Sequence, residues 1–143
     1  MRTLSIFGTL MLATALLASL TGCGKSGPPT HRLQGTVQLA EGNVGDLAGH
    51  TLEAVLESDS TVRAYGAIGE DGRFELESLL GGQIRPGALA GKYAVRVVLG
   101  DDDPESRSRA AQAVNKRFLN VETSGLSISV PNSGDVTLSL SRS

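Results

Sequence analysis

The chain contains no tryptophan, only three phenylalanines and two tyrosines. Platforms that stack bases or sugars normally need more aromatic surface than this. Charge of one sign is also lacking: 13 Lys and Arg stand against 15 Asp and Glu, a formal net charge of −2. So mild a balance gives no electrostatic reason to expect nucleic acid as a partner, or a polybasic contact with a membrane. The single cysteine, Cys23, excludes an intramolecular disulfide. It leaves an odd thiol to be explained by intermolecular pairing, reactivity or modification. Long hydrophobic runs are missing too, with one exception at the N-terminus. The 143 residues suffice for one domain, and 18 glycines point to many turns.

The exception begins after Met1-Arg2-Thr3 and runs from Leu4 to Leu20, interrupted by Ser5, Thr9, Thr14 and Ser19. A short basic start, an apolar stretch and small residues at its end make a secretory signal. The run lies near the lower limit for crossing a bilayer, so an uncleaved signal anchor is the alternative. The segment closes on Leu20-Thr21-Gly22-Cys23. This tetrapeptide resembles the lipobox of bacterial lipoproteins. The resemblance implies recognition of Leu20, Thr21 and Gly22 by a dedicated signal peptidase, and cleavage before a lipidated Cys23. Acyl chains at about 0.8 kcal/mol per buried methylene would make such an anchor effectively permanent. Gly24 stands where an aspartate would imply retention in the inner membrane, so the outer membrane is expected if the organism has both. Residues 1–22 thus read as signal peptide and 23–31 as lipidated N-terminus and tether, with Pro28-Pro29 stiffening its end.

From Arg32 onward the dominant signal is period-two alternation in short runs bounded by turn residues. Leu33, Gly35, Val37 and Leu39 alternate with polar neighbours, as do Leu52, Ala54 and Leu56. Val62 to Ile68 follows, then Phe74 and Leu76 after Glu70-Asp71-Gly72. Tyr93, Val95, Val97 and Leu99 form a further run; Leu126 to Val130 and Val136 to Leu140 are the last two. The expectation is an all-β domain over residues 32–142, an antiparallel β-sandwich of about seven strands, each with one wet and one dry face. Asp103-Pro104-Glu105 breaks the pattern with an N-cap, a proline at the first helical position and an acid in the first turn. A short helix near 104–117, ended by Lys116 and Arg117, is expected there; a disordered insertion is the alternative.

Laid out in this order, the chain resembles bacterial lipoproteins that carry a carboxypeptidase regulatory-like domain, a transthyretin-like, Ig-like sandwich. The resemblance rests on Gly22 to Pro29, Gln34-Gly35-Thr36-Val37, Asp71-Gly72-Arg73-Phe74, Gly91-Lys92-Tyr93-Ala94-Val95 and Thr123 to Val130. Glu41 to Gly49 is longer than the family's usual turn and lacks its proline, and Lys116-Arg117-Phe118 departs as well. The resemblance implies a non-catalytic accessory module with no cofactor. Its partners would be the membrane, through the lipid, and an envelope protein or polysaccharide.

Chemistry-bearing constellations are sparse. Asp101, Asp102, Asp103 and Glu105 form the densest carboxylate cluster and are weak candidates for calcium. They lack the alternating ligands and central glycine of an EF-hand loop, and a solvated acidic loop capping the next helix is the blander reading. His31 and His50 have no Cys or second His at ligand spacing and read as surface or loop histidines. No Gly-x-Ser-x-Gly elbow is present. The transthyretin-like hydrolase of purine breakdown ends in Tyr-Arg-Gly-Ser; this chain ends Leu140-Ser141-Arg142-Ser143, so that activity does not carry over. Leu80-Gly81-Gly82-Gln83 lacks the lysine and spacing of a phosphate loop and reads as a flexible hairpin. Arg107, Arg109, Lys116 and Arg117 form a basic stripe that the neighbouring acids would neutralise. Tyr65 is expected on an outer face and Tyr93 in the core. Three function classes follow: a non-enzymatic envelope module, a carbohydrate- or calcium-binding accessory domain, and an exported hydrolase.

Overall fold

A computed structural model describes residues 27–143. The N-terminal strands are β1 (Thr30–His31) and β2 (Gln34–Leu39). A 3-10 turn, Val44–Leu47, leads to β3 (Thr51–Leu56) and β4 (Arg63–Ala67). Next come β5 (Arg73–Glu75), β6 (Glu77–Leu80), β7 (Gln83–Pro86), β8 (Ala88–Leu89) and the long β9 (Gly91–Val98). Helix α1 (Pro104–Ala113) and a 3-10 turn, Lys116–Leu119, precede β10 (Leu126–Val130) and β11 (Val136–Leu140).

The strands form a six-stranded sheet in the order β10-β9-β3-β4-β6-β7, a three-stranded sheet β11-β2-β5, and the small pair β1-β8. Inward residues of the two larger sheets share one hydrophobic cluster. Leu52, Ala54, Tyr93, Val95, Val97 and Ile128 come from the first, and Val37, Phe74, Leu138 and Leu140 from the second. The molecule is therefore mostly β, with antiparallel sheets and one helix, consistent with an all-β sandwich. Burying each large apolar side chain in that core contributes about 1.5–3 kcal/mol.

Four features depart from the expectation. First, β11 runs parallel to β2, pairing Val136 with Gly35 through Leu140 with Leu39. The segment Pro131 to Asp135 carries the chain from the edge of one sheet to the other instead of turning it back as a hairpin, so nothing forces antiparallel pairing. Second, the Phe74–Leu76 alternation is not one strand. β5 pairs with β2 and β6 with β4, so the chain changes sheets at Leu76, whose N–H donates to Leu33 O at 2.8 Å. This sheet change, with the short β1, β7 and β8, is why there are eleven strands instead of seven. Third, α1 ends at Ala113, and Lys116 and Arg117 sit in the separate 3-10 turn. Its start is as expected: Asp103 caps it by accepting from Glu105 N–H at 2.9 Å, and Pro104 occupies the first turn. Fourth, β3 is buried on both faces at its centre, including Glu53 and Val55.

Glycine is required where strands approach most closely. A Cβ on Gly35 would lie 2.0 Å from Val136 O and 2.9 Å from the Phe74 ring. Gly72 has φ +83°, and a Cβ there would meet Val37 O at 2.3 Å. The Asp71-Gly72 turn thus stitches the β4–β5 crossing to β2, where Val37 N–H donates to Gly72 O.

Candidate functional site

Cys23, the expected lipidation site, and Leu20, Thr21 and Gly22, expected to direct cleavage, lie outside the described residues. The domain receives the chain at Gly27, and the Arg85 guanidinium on β7 donates to Pro28 O at 2.9 Å. The N-terminal approach is therefore fastened to the β7 edge of the six-stranded sheet. Among the described residues no helix is long and apolar enough to cross a membrane.

The outer face of the six-stranded sheet holds the most concentrated side-chain chemistry. Register aligns Arg96 of β9, Glu53 of β3 and Tyr65 of β4 in one row, and Glu77 of β6 and Pro86 of β7 extend it. Glu53 is 2% exposed. Its Oε1 accepts from Arg63 at 2.6 Å and its Oε2 accepts from Arg96 Nε. Burial alone would raise the Glu53 pKa, but the Arg96 and Arg63 hydrogen bonds and charges outweigh it and hold the carboxyl below its ordinary value. Such a clamp stiffens three strands; both carboxylate oxygens are engaged, so neither is poised to take a proton from a substrate. Alternation alone places Glu53 on a wet face. Its burial depends on which strands flank β3, which the sequence pattern does not reveal.

Tyr65 stands beside this clamp, 41% exposed, as expected for an outer-face tyrosine. Tyr93 is fully buried, also as expected; its hydroxyl donates to Leu89 O at 3.0 Å, and burial raises its pKa. Further along the same outer face, Leu79 of β6 opposes Ile84 of β7. They are 61% and 71% exposed, the most exposed large apolar side chains among the described residues. Gly81 and Gly82, at φ +58° and +80°, close the hairpin between them. Two left-handed residues in a two-residue loop match the twist of the flanking strands. The sequence signal was present in Leu-Leu-Gly-Gly-Gln-Ile, but only register shows that the apolar pair faces outward.

His50 lies in the loop before β3, one of the two places expected for it, but it is buried and not at the surface. Its Nδ1 accepts from Gly100 N–H at 3.0 Å, and its Nε2 lies 3.4 Å from Ser106 O and 3.3 Å from Ser106 Oγ. A backbone N–H can only donate, so Nδ1 carries the lone pair and Nε2 the proton. The ring therefore donates toward Ser106, the opposite of what a general base for a serine nucleophile requires. His50 ties the approach to β3 to the start of α1. His31 sits half-buried in β1, remote in sequence and strand pairing from this group.

The acidic cluster is divided among structural tasks. Asp101 pairs with Arg107, Asp103 caps α1, and Glu105 lies 4.0 Å from Arg109. Asp102 and Asp103 border a small cleft of about 180 Å³ together with His50 and Ser106. Among the described residues no three His, Cys, Asp or Glu side chains converge as metal ligands. The basic stripe is likewise broken up, since Arg117 lies over the Phe118 ring at 4.5 Å.

A larger cleft of about 440 Å³ opens where the sheets meet, floored by Gly35, Ile68 and Phe74. Its polar rim is internally matched: Arg32 pairs with Glu75 at 2.9 Å, and Gln34 donates to Asp135 at 2.7 Å. Throughout the described residues, every buried side-chain nitrogen and oxygen has a hydrogen-bond partner. Comparison with protein-family models, curated proteins and solved structures finds no match to this chain.

Proposed function

We propose that this chain is a lipid-anchored lipoprotein of the bacterial cell envelope whose sandwich is a non-enzymatic binding or structural module held at the membrane surface. The observation that carries this reading is Leu20-Thr21-Gly22-Cys23 behind an apolar signal and directly ahead of the domain. It also accounts for the lone cysteine as an acyl carrier. The domain is a member of the carboxypeptidase regulatory-like, transthyretin-like group in this reading. Its support is that the quoted motifs fall at structurally demanding places. Gln34-Gly35-Thr36-Val37 lies in β2 at the Gly35 close approach, Asp71-Gly72-Arg73-Phe74 makes the sheet crossing, and Tyr93 anchors β9 in the core. Fold likeness alone assigns no activity.

From its place at the membrane surface the module contacts an envelope protein or polysaccharide, and Gly24 after the lipidated cysteine favours the outer membrane where the organism has one. The His50 tautomer and the fully engaged Glu53 weigh against the hydrolase reading. The reading is tested by fractionating cells that express the wild-type chain or Cys23→Ala. Wild type is expected in the detergent-extracted membrane fraction as the shortened form, and Cys23→Ala as an unprocessed precursor. Identical processing and distribution of the two would overturn the proposal.

A further inference from the structure

The exposed apolar pair on the β6–β7 hairpin has no partner within the described domain, and the place where the chain enters that domain identifies one. Four residue steps separate Cys23 from Gly27. Fully extended, they span at most about 14 Å. Pro28 is held by Arg85, the residue next to Ile84 on β7. If Cys23 sits in lipid, this edge of the six-stranded sheet cannot move away from the bilayer, whatever the rest of the domain does. Residues 79–84, Leu-Leu-Gly-Gly-Gln-Ile, carry no charge, and Leu79 and Ile84 are both more than half exposed. We propose that the β6–β7 hairpin is a second membrane contact, its Leu79 and Ile84 side chains seated among the lipid headgroups and upper acyl chains while the acylated cysteine supplies the permanent anchor. This rests on the lipid-anchor reading above.

A second copy of the chain fits the same surface less well. β7 is a four-residue edge strand that ends at Pro86, which has no N–H to offer a neighbouring strand. Leu79 and Ile84 also project from the sheet face instead of along its edge. Anchored in this way, the hairpin fixes the orientation of the domain, which a tether alone would leave free.

The test uses the full chain, processed and extracted from bacterial membranes, as Ile84→Cys and, separately, Leu79→Cys. In the acylated protein Cys23 is a thioether, so each variant offers one reactive thiol for a nitrobenzoxadiazole probe. Ser139→Cys, on the outward face of β11, is the control. After reconstitution into vesicles of phosphatidylethanolamine and phosphatidylglycerol, probes at positions 84 and 79 should shift to the blue and be quenched by nitroxide-labelled lipid. The probe at 139 should do neither. With one label per chain, probes at 84 and 79 that behave like the one at 139 would overturn the hairpin contact and leave the anchor standing. A blue shift without quenching by lipid would also overturn it, in favour of a protein neighbour. Two labels per chain would show that Cys23 is not acylated and would remove both proposals.

Discussion

Two parts of the same outer sheet face invert the usual rule. At its centre, a carboxylate that alternation places in water is buried and clamped by Arg63 and Arg96. At its edge, Leu79 and Ile84, which side-chain hydrophobicity alone would place in a core, stand in solvent. The polar cluster is satisfied from within the domain and asks nothing of a partner. The apolar pair is unsatisfied, and exposed apolar surface gains free energy when something covers it. In this molecule the charged residues therefore explain the fold, and the hydrophobic ones at the β7 edge point to what the domain touches.

The comparison is broken most severely at Glu53. Glu53→Ala leaves two arginines facing a void on the β3 row, and a loss of about 3 kcal/mol is expected, read from the urea midpoint. The figure sits at the low end for a broken buried pair because both arginines reach solvent. His50→Ala removes the acceptor for Gly100 N–H and the link to α1; about 2 kcal/mol is expected by the same measurement. A loss under 0.5 kcal/mol in either variant would mean that the corresponding cluster does not hold the fold.

Acid sharpens the comparison without a change in side-chain shape. The Glu53 pKa is lowered in the folded state, so its stabilisation is complete above the unfolded value of 4.5 and fades as pH falls below it. The stability gap between wild type and Glu53→Gln should therefore be constant above about pH 5.5 and narrow below about pH 4.5. A gap that does not change across that range would contradict the ion-pair account. The smallest effect belongs to the hairpin: Leu79→Ser with Ile84→Ser should move the stability of the detergent-solubilised protein by no more than about 0.5 kcal/mol. A larger destabilisation would show that these side chains serve the core after all.

Much of the architecture was legible because period-two alternation is a local property. Tyr93, Val95 and Val97 inside, Tyr65 outside, and the Asp103-Pro104-Glu105 start of α1 all follow from residues within a turn or two of one another. What stayed hidden is non-local. The burial of Glu53 requires knowing that β9 and β4 flank β3, and the parallel β2–β11 pair joins residues about a hundred positions apart. The tautomer of His50 depends on Gly100, and its burial on α1 folding over it. The outward placement of Leu79 and Ile84 needed only the Gly81-Gly82 turn and the correct neighbour for β6; the first was readable and the second was not.

The measurement that tests the central claim most directly is intact mass analysis of the protein extracted from membranes, with Cys23→Ala alongside. The account predicts a chain that begins at Cys23 and carries acyl groups on that residue, and a variant that retains residues 1–22. An unlipidated mass, or processing of Cys23→Ala identical to that of wild type, would contradict it.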